Sequence, residues 1–599
     1  MTKPQGRTMF DRQPLGEKDT SFPFRAQESG ILSVENVTGG MVTALPRDLL
    51  PKSSFKLVRN GRSREHWLGR RPGTKEYVTP PVVSAGVTVA LSGEISAIIM
   101  GFKDNSSQAG SLAVSEPGYE LYVIGETTPV GGNITAVWKL VAVADPPLWQ
   151  QVTDSGGLSN PDFLAQFGHR IKSAQYGNLI FFVDGQAGLK YIDMAPLTGG
   201  AAEIREAPTD GSHLFDSRAN NAPGAQVITT FAERVIVGNL KTEITVPGPS
   251  AVGDPSALAW SANGLPLDWN ILDATLVPTG AGTELLIQSP SDANDAITGL
   301  FGLTNEMVIL RERSIWHATR QPFASSPFRF LPIIVGFGCD LMYSAVQGEG
   351  GVFYADFRSK GVFFYQPGAR PQRISLSIDD ELFEDLQNMA RVEGAFDARE
   401  REYHLGLNLG DTNKITKRWI YSVRTQAWSF DDGLELDTIA SFVDFTNLDI
   451  LPDEPAGDLT GSLPALPPGI IMGSTDQKLL IFDPTEDFDV DGTLFGFEII
   501  SQNLGSPSRV RVMNDLLLRY EASQAGSGTL EVSTDGVLWR EGKRFDISDS
   551  PGERAIGLPM GAIEGRGLYW RLIADSSDIK LTAYTARFTD KSFQHQDAI

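Results

Sequence analysis

Apolar positions in this chain come in short runs that alternate with turn clusters. The pattern is plainest between residues 297 and 368. Runs of strand length at 307–310, 314–317, 352–355 and 361–365 are set apart by Gly-, Ser- and charge-rich turns. Val, Ile, Phe and Tyr dominate, and turns recur too often for a helix of useful length, so strands are predicted throughout. The stretch reads as two successive small antiparallel sheets joined by an irregular Phe-, Pro- and Gly-rich connector at 321–339. A strand quartet, a connector and another quartet is the pattern of a β-propeller.

The same texture recurs along the chain. Strand runs fall at 95–101, 119–125 and 136–144, and more lie within 163–194, where Asp184-Gly185 can turn a tight hairpin. Residues 226–269 hold VITTFAERVIVGNL and ALAWSANGLPLDW. Residues 396–430 form a hairpin with strands at 402–407 and 418–423. One more unit, 436–444 with 469–482, is interrupted by an acidic, Pro-rich insertion at 451–468. The units recur at about 40–60 residues, near the spacing of blades, which gives roughly six to eight of them. A pair of stacked sandwiches is the alternative architecture. Two short helices are predicted. One opens at Asn160-Pro161, with Pro at the first helical position. The other covers 378–389, where Leu382, Phe383 and Leu386 share a face.

After residue 483 the texture changes to frequent alternation, as in RVRVMNDLLLRYE and IKLTAYTARF, with Asp535-Gly536 joining two strands. This predicts a separate β-sandwich. Residues 1–30 are polar and lack periodicity, and read either as an extended arm, which if ordered would lie on a neighbouring subunit, or as simple disorder. The expected fold class is therefore all-β. An arm spans 1–30, a β-propeller with loop insertions 31–485, a C-terminal β-sandwich 486–590 and a frayed tail 591–599.

Composition narrows the function. Lys and Arg total 51 against 74 Asp and Glu, a formal charge of -23. Such a surface repels DNA and anionic membranes, so contact with nucleic acid must be something other than tight binding. A single cysteine, Cys339, excludes an internal disulfide framework and reads as a small packed residue rather than a nucleophile. The first twenty residues carry no apolar h-region, so no secretory signal is expected. No apolar run is long enough to predict a membrane span.

Candidate chemistry is sparse. Asp487, Asp489, Asp491, Gly492 and Glu498 fit the spacing of an EF-hand calcium loop, whose alternating oxygens wrap the ion. The flanks read as strand and loop where an EF-hand needs helices, so an acidic linker is the blander reading. Arg62, Arg64, Arg70 and Arg71 make the densest basic patch. It reads either as a phosphate site or as a solvated loop or contact with an acidic neighbour. Ser533-Thr534-Asp535-Gly536, followed by Trp539, resembles the hairpin of discoidin-like carbohydrate-binding sandwiches. It departs by one missing residue from the sialidase Asp-box. The plain alternative is a structural hairpin with a packed Trp. The histidines at 66, 169, 213, 317, 404 and 595 are isolated, and there is no H-E-x-x-H, G-x-S-x-G or Walker loop. Catalytic, cofactor and metal residues are therefore expected to be absent, and the chain is expected not to be an enzyme.

Several segments together resemble the tail nozzle proteins of short-tailed bacteriophages, which include tail tubular and packaged-DNA stabilisation proteins. They are GGMVTALPRDLL with GRRPGTKEY, then ALAWSANGLPLDW, MVILRERSIWHA with PFRFLPIIVGFGCDLMYSAV, GGVFYADFRSKGVFFY, and EYHLGLNL with WIYSVRTQAWSF. The C-terminal sandwich completes the set. The resemblance implies a structural virion protein, made in the host cytoplasm, that forms a hexameric ring at the distal end of the tail. The ring would be a DNA conduit and gate, with a tail adaptor ring above it and tail fibres or spikes and a needle or plug as further partners. Packaged double-stranded DNA would pass without tight binding, and carboxylates from 379–384 and 431–437 are expected to face the channel. The arm and loops would be partly ordered until docked. The alternatives are a carbohydrate-binding receptor-adhesion protein or a propeller glycosidase.

Overall fold

A computed structural model describes residues 28–34, 37–43, 53–78, 91–103, 118–127, 134–141, 148–154, 171–185, 189–195, 203–206, 224–240, 254–270, 280–287, 295–321, 326–410, 414–442, 469–474, 478–483, 489, 495–505, 510–522, 525–547, 553–574 and 579–591. Among the described residues strand makes up 66% and helix 4%, which fixes the class as all-β. Two compact units divide the chain. One comprises residues 1–72, 424–429 and 493–599, and the other 73–423 and 430–492.

The larger unit is a β-propeller. Five sheets stand alone as blades, each an antiparallel meander. The first runs Leu91–Lys103, Gly118–Thr127, Ile134–Val141 and Leu148–Gln151. The second is Lys172–Tyr176, Leu179–Val183, Lys190–Asp193 and Glu203–Glu206, with Thr153–Asp154 added in parallel. The third is Ala225–Phe231, Arg234–Leu240, Ala257–Trp260 and Gly282–Leu285. The fourth is Ile297–Gly302, Glu306–Arg311, Ser314–Arg320 and Phe328–Val335, and the fifth Val346–Gly348, Gly351–Asp356, Gly361–Tyr365 and Gln372–Arg373. Two further blades share the long strand Ala427–Phe442. It follows Arg391–Asp397, Glu402–Asn408 and Ile415–Ser422 as the outer strand of the sixth. Its second half then pairs with Gly469–Ser474, which pairs with Leu479–Asp483. The fourth strand of this seventh blade is Gly73–Val78, from the opposite end of the unit. A strand from the start of the unit thus completes the sheet at its end and locks the ring.

The blades hold one another through both faces. In Leu179–Val183, Phe181 and Val183 pack against the third blade while Ile180 and Phe182 pack against the first. In Glu306–Arg311, Met307 and Ile309 face the third blade, and Val308 and Leu310 face the fifth. A strand buried on both sides must be apolar at every position, which explains runs such as LIFFV and MVIL. The Phe353 ring stacks on Phe396 and Tyr403 at 5.4 and 5.2 Å between the fifth and sixth blades. Leu436, Ile439 and Met472 join the sixth to the seventh, and Phe442, Ile471 and Leu479 meet Ile95, Leu121 and Trp138 of the first. The inner strands crowd at Gly302 and Gly394, where a Cβ would collide with the Thr230 and Ser344 carbonyls.

Polar staples supplement the apolar seams. Arg311 is fully buried in the fourth blade. Its guanidinium donates to the Leu286 and Asp295 carbonyls at 2.7 Å and to Ser256 Oγ at 3.1 Å. Asp295 balances the charge at 3.6 Å and accepts from the Ser314 hydroxyl at 2.6 Å.

The smaller unit is a two-sheet sandwich. One sheet contains Glu28–Val34, Gly61–Ser63, Leu68–Arg70, Val510–Ala522, Arg554–Gly565 and Ile579–Lys591. The other contains Phe55–Arg59, Phe497–Ser501, Tyr569–Ala574, Gly526–Ser533 and Arg540–Ile547. Phe55 and Trp570 meet Tyr584 of the first sheet with ring centroids 6.4 and 5.1 Å apart.

Several expectations are revised. Residues 53–72, grouped with the propeller on sequence, pair here with the C-terminal strands, as Phe55–Arg59 does with Phe497–Ser501. Residues 28–30, placed in the arm, begin a strand that pairs with Ile579–Lys591. The connector at 321–339 contains the fourth blade's outer strand, Phe328–Val335. Pro332 is tolerated there because an edge strand has one side free of the ladder. The helix at 378–389 forms as Asp379–Asn388, with Leu382 and Leu386 buried and Phe383 stacked on Phe357. Residues 1–27, the Asn160-Pro161 helix and the insertion at 451–468 lie outside the described residues.

Arg311→Ala removes the donor of three buried bonds and strands Asp295, so it should cost about 3–5 kcal/mol in denaturant melts. Arg205→Ala, which breaks the partly exposed pair with Glu203, should cost under about 1 kcal/mol. Equal losses would show that burial does not set the value of these staples.

Candidate functional site

The inner strands of a propeller start close together around its axis, so charged residues at those starts converge. Glu94 lies near the beginning of Leu91–Lys103, Arg391 begins Arg391–Asp397, and Asp437 stands where the long strand turns into the seventh blade. Each precedes an apolar run that anchors its strand between blades. The Arg391 guanidinium meets the Glu94 carboxylate at 2.5 Å and donates to the Asp437 carbonyl. The Asp437 carboxyl accepts from the Ile95 backbone N–H at 3.0 Å. Two residues on, Glu393 accepts from the Thr438 hydroxyl at 2.8 Å. Lys172 of the second blade bears electrostatically on Glu393, and its ammonium lies 5.5 Å from the centre of the Tyr343 ring.

Burial dominates the electrostatics of this hub. It pushes the Asp437 carboxyl up to about 7, with the nearby Glu94 charge adding and the Ile95 N–H and Arg391 opposing. It pushes Glu393 up to about 7 against the pull of Arg391, Thr438 and Lys172. Burial also lowers Lys172 and raises the Tyr343 phenol to about 12. The hub thus holds carboxylic acids able to donate a proton near neutral pH beside a carboxylate paired with arginine. Burial that lifts carboxyls toward neutral pH is the raw material of acid–base chemistry.

The residues singled out from sequence lie elsewhere. Arg62, Arg70 and Arg71 are buried, and Arg70 and Arg71 stack on Phe495 at 4.1 and 3.6 Å. That corrects both the phosphate and the solvated-loop readings. A weakly hydrated planar guanidinium buries over a ring more readily than a strongly hydrated ammonium. Arg64 backbone N–H bonds the Trp67 carbonyl in the same hairpin. Of the calcium-loop pattern, Asp487 and Asp491 lie outside the described residues. Asp489 accepts from Thr74 Oγ1 at 3.0 Å, and Glu498 sits in a strand facing Arg59 and Arg571, each at 3.5 Å. Among the described residues no group of three or more His, Cys, Asp or Glu is arranged to hold a metal, and no helix is long and apolar enough to cross a membrane.

Asp535 organises its hairpin as an Asx turn, accepting from the Val537 and Leu538 N–H groups at 2.8 Å, which holds its carboxyl near 2. Trp539 is half-buried under the Arg571 guanidinium at 5.1 Å. Cys339 is fully buried, and burial pushes its thiol to about 12. Of the carboxylate clusters, Asp437 reaches the hub, Asp431 is buried against Arg418 at 3.0 Å, and Asp379 pairs with Arg373 at 2.8 Å. His66 is exposed beside Glu65, and His404 is buried 3.5 Å from Glu402. His169, His213 and His595 lie outside the described residues. His317 is not isolated: Glu306 and Tyr365 bracket its ring.

No protein-family model and no curated protein matches the chain. Solved structures that it resembles include an exo-β-1,3-galactanase from Phanerochaete chrysosporium, at 10% identity over 73% of this chain and 98% of that one, with a TM-score of 0.23. Another is PorZ, a surface component of the type-IX secretion system of Porphyromonas gingivalis, at 10% identity over 78% and 58%, with a TM-score of 0.35. A third is a glycoside hydrolase family 43 arabinoxylan arabinofuranohydrolase from Bacillus subtilis, at 9% over 79% and 93%, with a TM-score of 0.19. Two of these are glycoside hydrolases, which runs against the expectation that the chain is not an enzyme. The expectation rested on the want of a linear motif, which a set gathered from residues 94, 393 and 437 does not produce. At such identities and TM-scores the likeness assigns no activity.

A carboxyl raised by the fold lends stability that is complete below its unfolded value, roughly pH 4, and is lost as the pH climbs through about 7. Asp437→Asn should therefore gain on the native chain by about 1–3 kcal/mol between pH 5 and pH 8 in denaturant midpoints. A stability difference that stays flat across that range would remove the buried acid.

Proposed function

We propose that the chain is a structural subunit of the tail nozzle of a short-tailed bacteriophage, a ring component that retains packaged DNA and lets it pass on ejection. One observation carries the reading: the segments that resemble nozzle proteins are the ones that build the ring and the sandwich. MVILRERSIWHA supplies the two middle strands of the fourth blade, GGVFYADFRSKGVFFY those of the fifth and EYHLGLNL with WIYSVRTQAWSF strands of the sixth. Much of the resemblance therefore lies in blade strands. The acidic balance supports it, since a conduit for a polymer with one charge per ~1.7 Å must not grip it. The partners implied are sister copies in a hexamer, a tail adaptor ring above, and fibres, spikes or a needle or plug at the open end.

Electron microscopy of the purified chain with the adaptor ring tests this. The expected image is a tube capped by a sixfold ring of propellers. A protein that stays monomeric and leaves the adaptor bare at micromolar concentrations would sink the nozzle reading.

The hub favours a second reading, a propeller that processes or binds carbohydrate. Glu393 and Asp437, held near pH 7, are suited to protonate a leaving-group oxygen, with Glu94 as the neighbouring carboxyl. Release of reducing ends from a polysaccharide panel, cut at least about 100-fold in both Glu393→Gln and Asp437→Asn, is the expected outcome. Release unchanged by either substitution, or none at all, would rule out the hub as its centre.

A further inference from the structure

Lys172 opens the inner strand of the second blade, and Tyr343 stands in the short turn Met342–Ser344 that leads into the inner strand of the fifth. Those two blades do not adjoin in the ring. The Lys172 ammonium nevertheless lies 5.5 Å from the centre of the Tyr343 ring, so the side chain reaches across the axis. Glu393, near the head of the sixth blade's inner strand, is the carboxyl that bears on it. Strand starts from opposite sides of the propeller thus meet at one place.

The charges gathered there do not pair off evenly. The Arg391 guanidinium is engaged by Glu94 and by the Asp437 carbonyl. Glu393 takes the Thr438 hydroxyl. Among the described residues, the Lys172 ammonium has neither a hydrogen bond nor an ion pair. It is largely buried, and the other group that bears on it, the Cys339 thiol, stays neutral because burial pushes it to about 12. Buried charges are normally paired, so an ammonium held out of water without a counter-charge is suited to a ligand that brings one.

We propose that Lys172 sets specificity at the hub: the hub takes an acidic sugar, a uronic acid unit of a glycan, whose carboxylate pairs with the Lys172 ammonium while its ring lies against Tyr343. The inference rests on the carbohydrate reading of the hub and names its substrate class. Lysine is a compact charge with three donors and can receive a carboxylate without the flat fork that arginine offers. An aromatic wall beside a few polar groups is the usual lining of a small-molecule site. Glu393, which burial raises to about 7, can carry a proton and donate to the guest carboxylate instead of repelling it. Asp184, which bears on Tyr343, and Glu94 are negative. With Arg391 already engaged, Lys172 is the cation of the described hub that a guest carboxylate can neutralise.

Titration calorimetry of the intact chain at pH 6.0 tests this with trigalacturonate against galactotriose and triglucuronate against cellotriose. At least one uronate should bind about tenfold or more tighter than its neutral counterpart. Lys172→Met should erase that preference and leave the denaturant midpoint unchanged or higher, since no bond within the fold is lost; Lys172→Gln serves if the first variant does not fold. Uronate and neutral sugars bound equally, or a preference that survives the substitution, would overturn the acidic-sugar assignment and leave the carbohydrate reading standing. Binding of none of the four would sink both. A marked loss of stability in both variants would make Lys172 a structural residue and overturn the assignment as well.

Discussion

Burial of each blade on both faces is the constraint from which the rest of the propeller follows. A sheet covered on one side can alternate apolar and polar residues, whereas a sheet wedged between neighbours cannot. Leu179–Val183 and Glu306–Arg311 send alternate side chains into different cores, and both sets are apolar. No blade owns a core; each core belongs to a seam. The ring must therefore close, because an open end would leave one such face in water. Pairing of Gly73–Val78 with Leu479–Asp483 provides that closure and places the seventh blade against Ile95 and Trp138 of the first.

The same geometry decides where charge can go. Inner strands converge, so a charged residue at a strand start meets its counterparts from other blades rather than solvent. Isolated, such a group would cost several kcal/mol. Here the cost is met in two ways. Away from the inner strands, Arg311 is matched to Asp295 and backbone carbonyls and Arg418 to Asp431. Glu393 and Asp437 are instead held near the edge of ionisation. The first solution stiffens a seam, and the second leaves a group that can exchange a proton, so pairing and reactivity are alternative outcomes of one crowding problem.

Local features were legible from sequence and long-range ones were not. The hairpin of Glu402–Asn408 with Ile415–Ser422, the helix Asp379–Asn388 and the Asx turn at Asp535 rest on nearby residues whose periodicity or turn chemistry is plain. Phe328–Val335 was hidden because Pro332 and its aromatic neighbours read as a connector, and only its edge position makes the proline harmless. Arg70 and Arg71 read as a solvated patch because Phe495, which covers them, is remote in the chain. His317 read as isolated because Tyr365 reaches it only once two blades stand side by side. The hub left one faint trace: Glu94, Arg391 and Asp437 each stand at the head of an inner strand, just before its apolar run. A lone charge in that position in several repeats marks an axis.

The buried groups also bear on how the acidic balance is distributed. Among the described residues, the buried bases (Arg62, Arg70, Arg71, Lys190, Arg234, Arg311 and Arg418) nearly match the buried acids. Those are Asp184, Asp295, Asp356, Asp397, Glu402, Asp431, Asp437 and Asp489. The described core is close to neutral and accounts for little of the formal charge of -23. Charges in water cost the fold little, yet their summed field extends about 8 Å at physiological salt. That field repels a nucleic-acid duplex and other acidic surfaces alike. A near-neutral described core and a net negative chain thus separate the two tasks: the seams are free to be tight, while the summed charge disfavours polyanions.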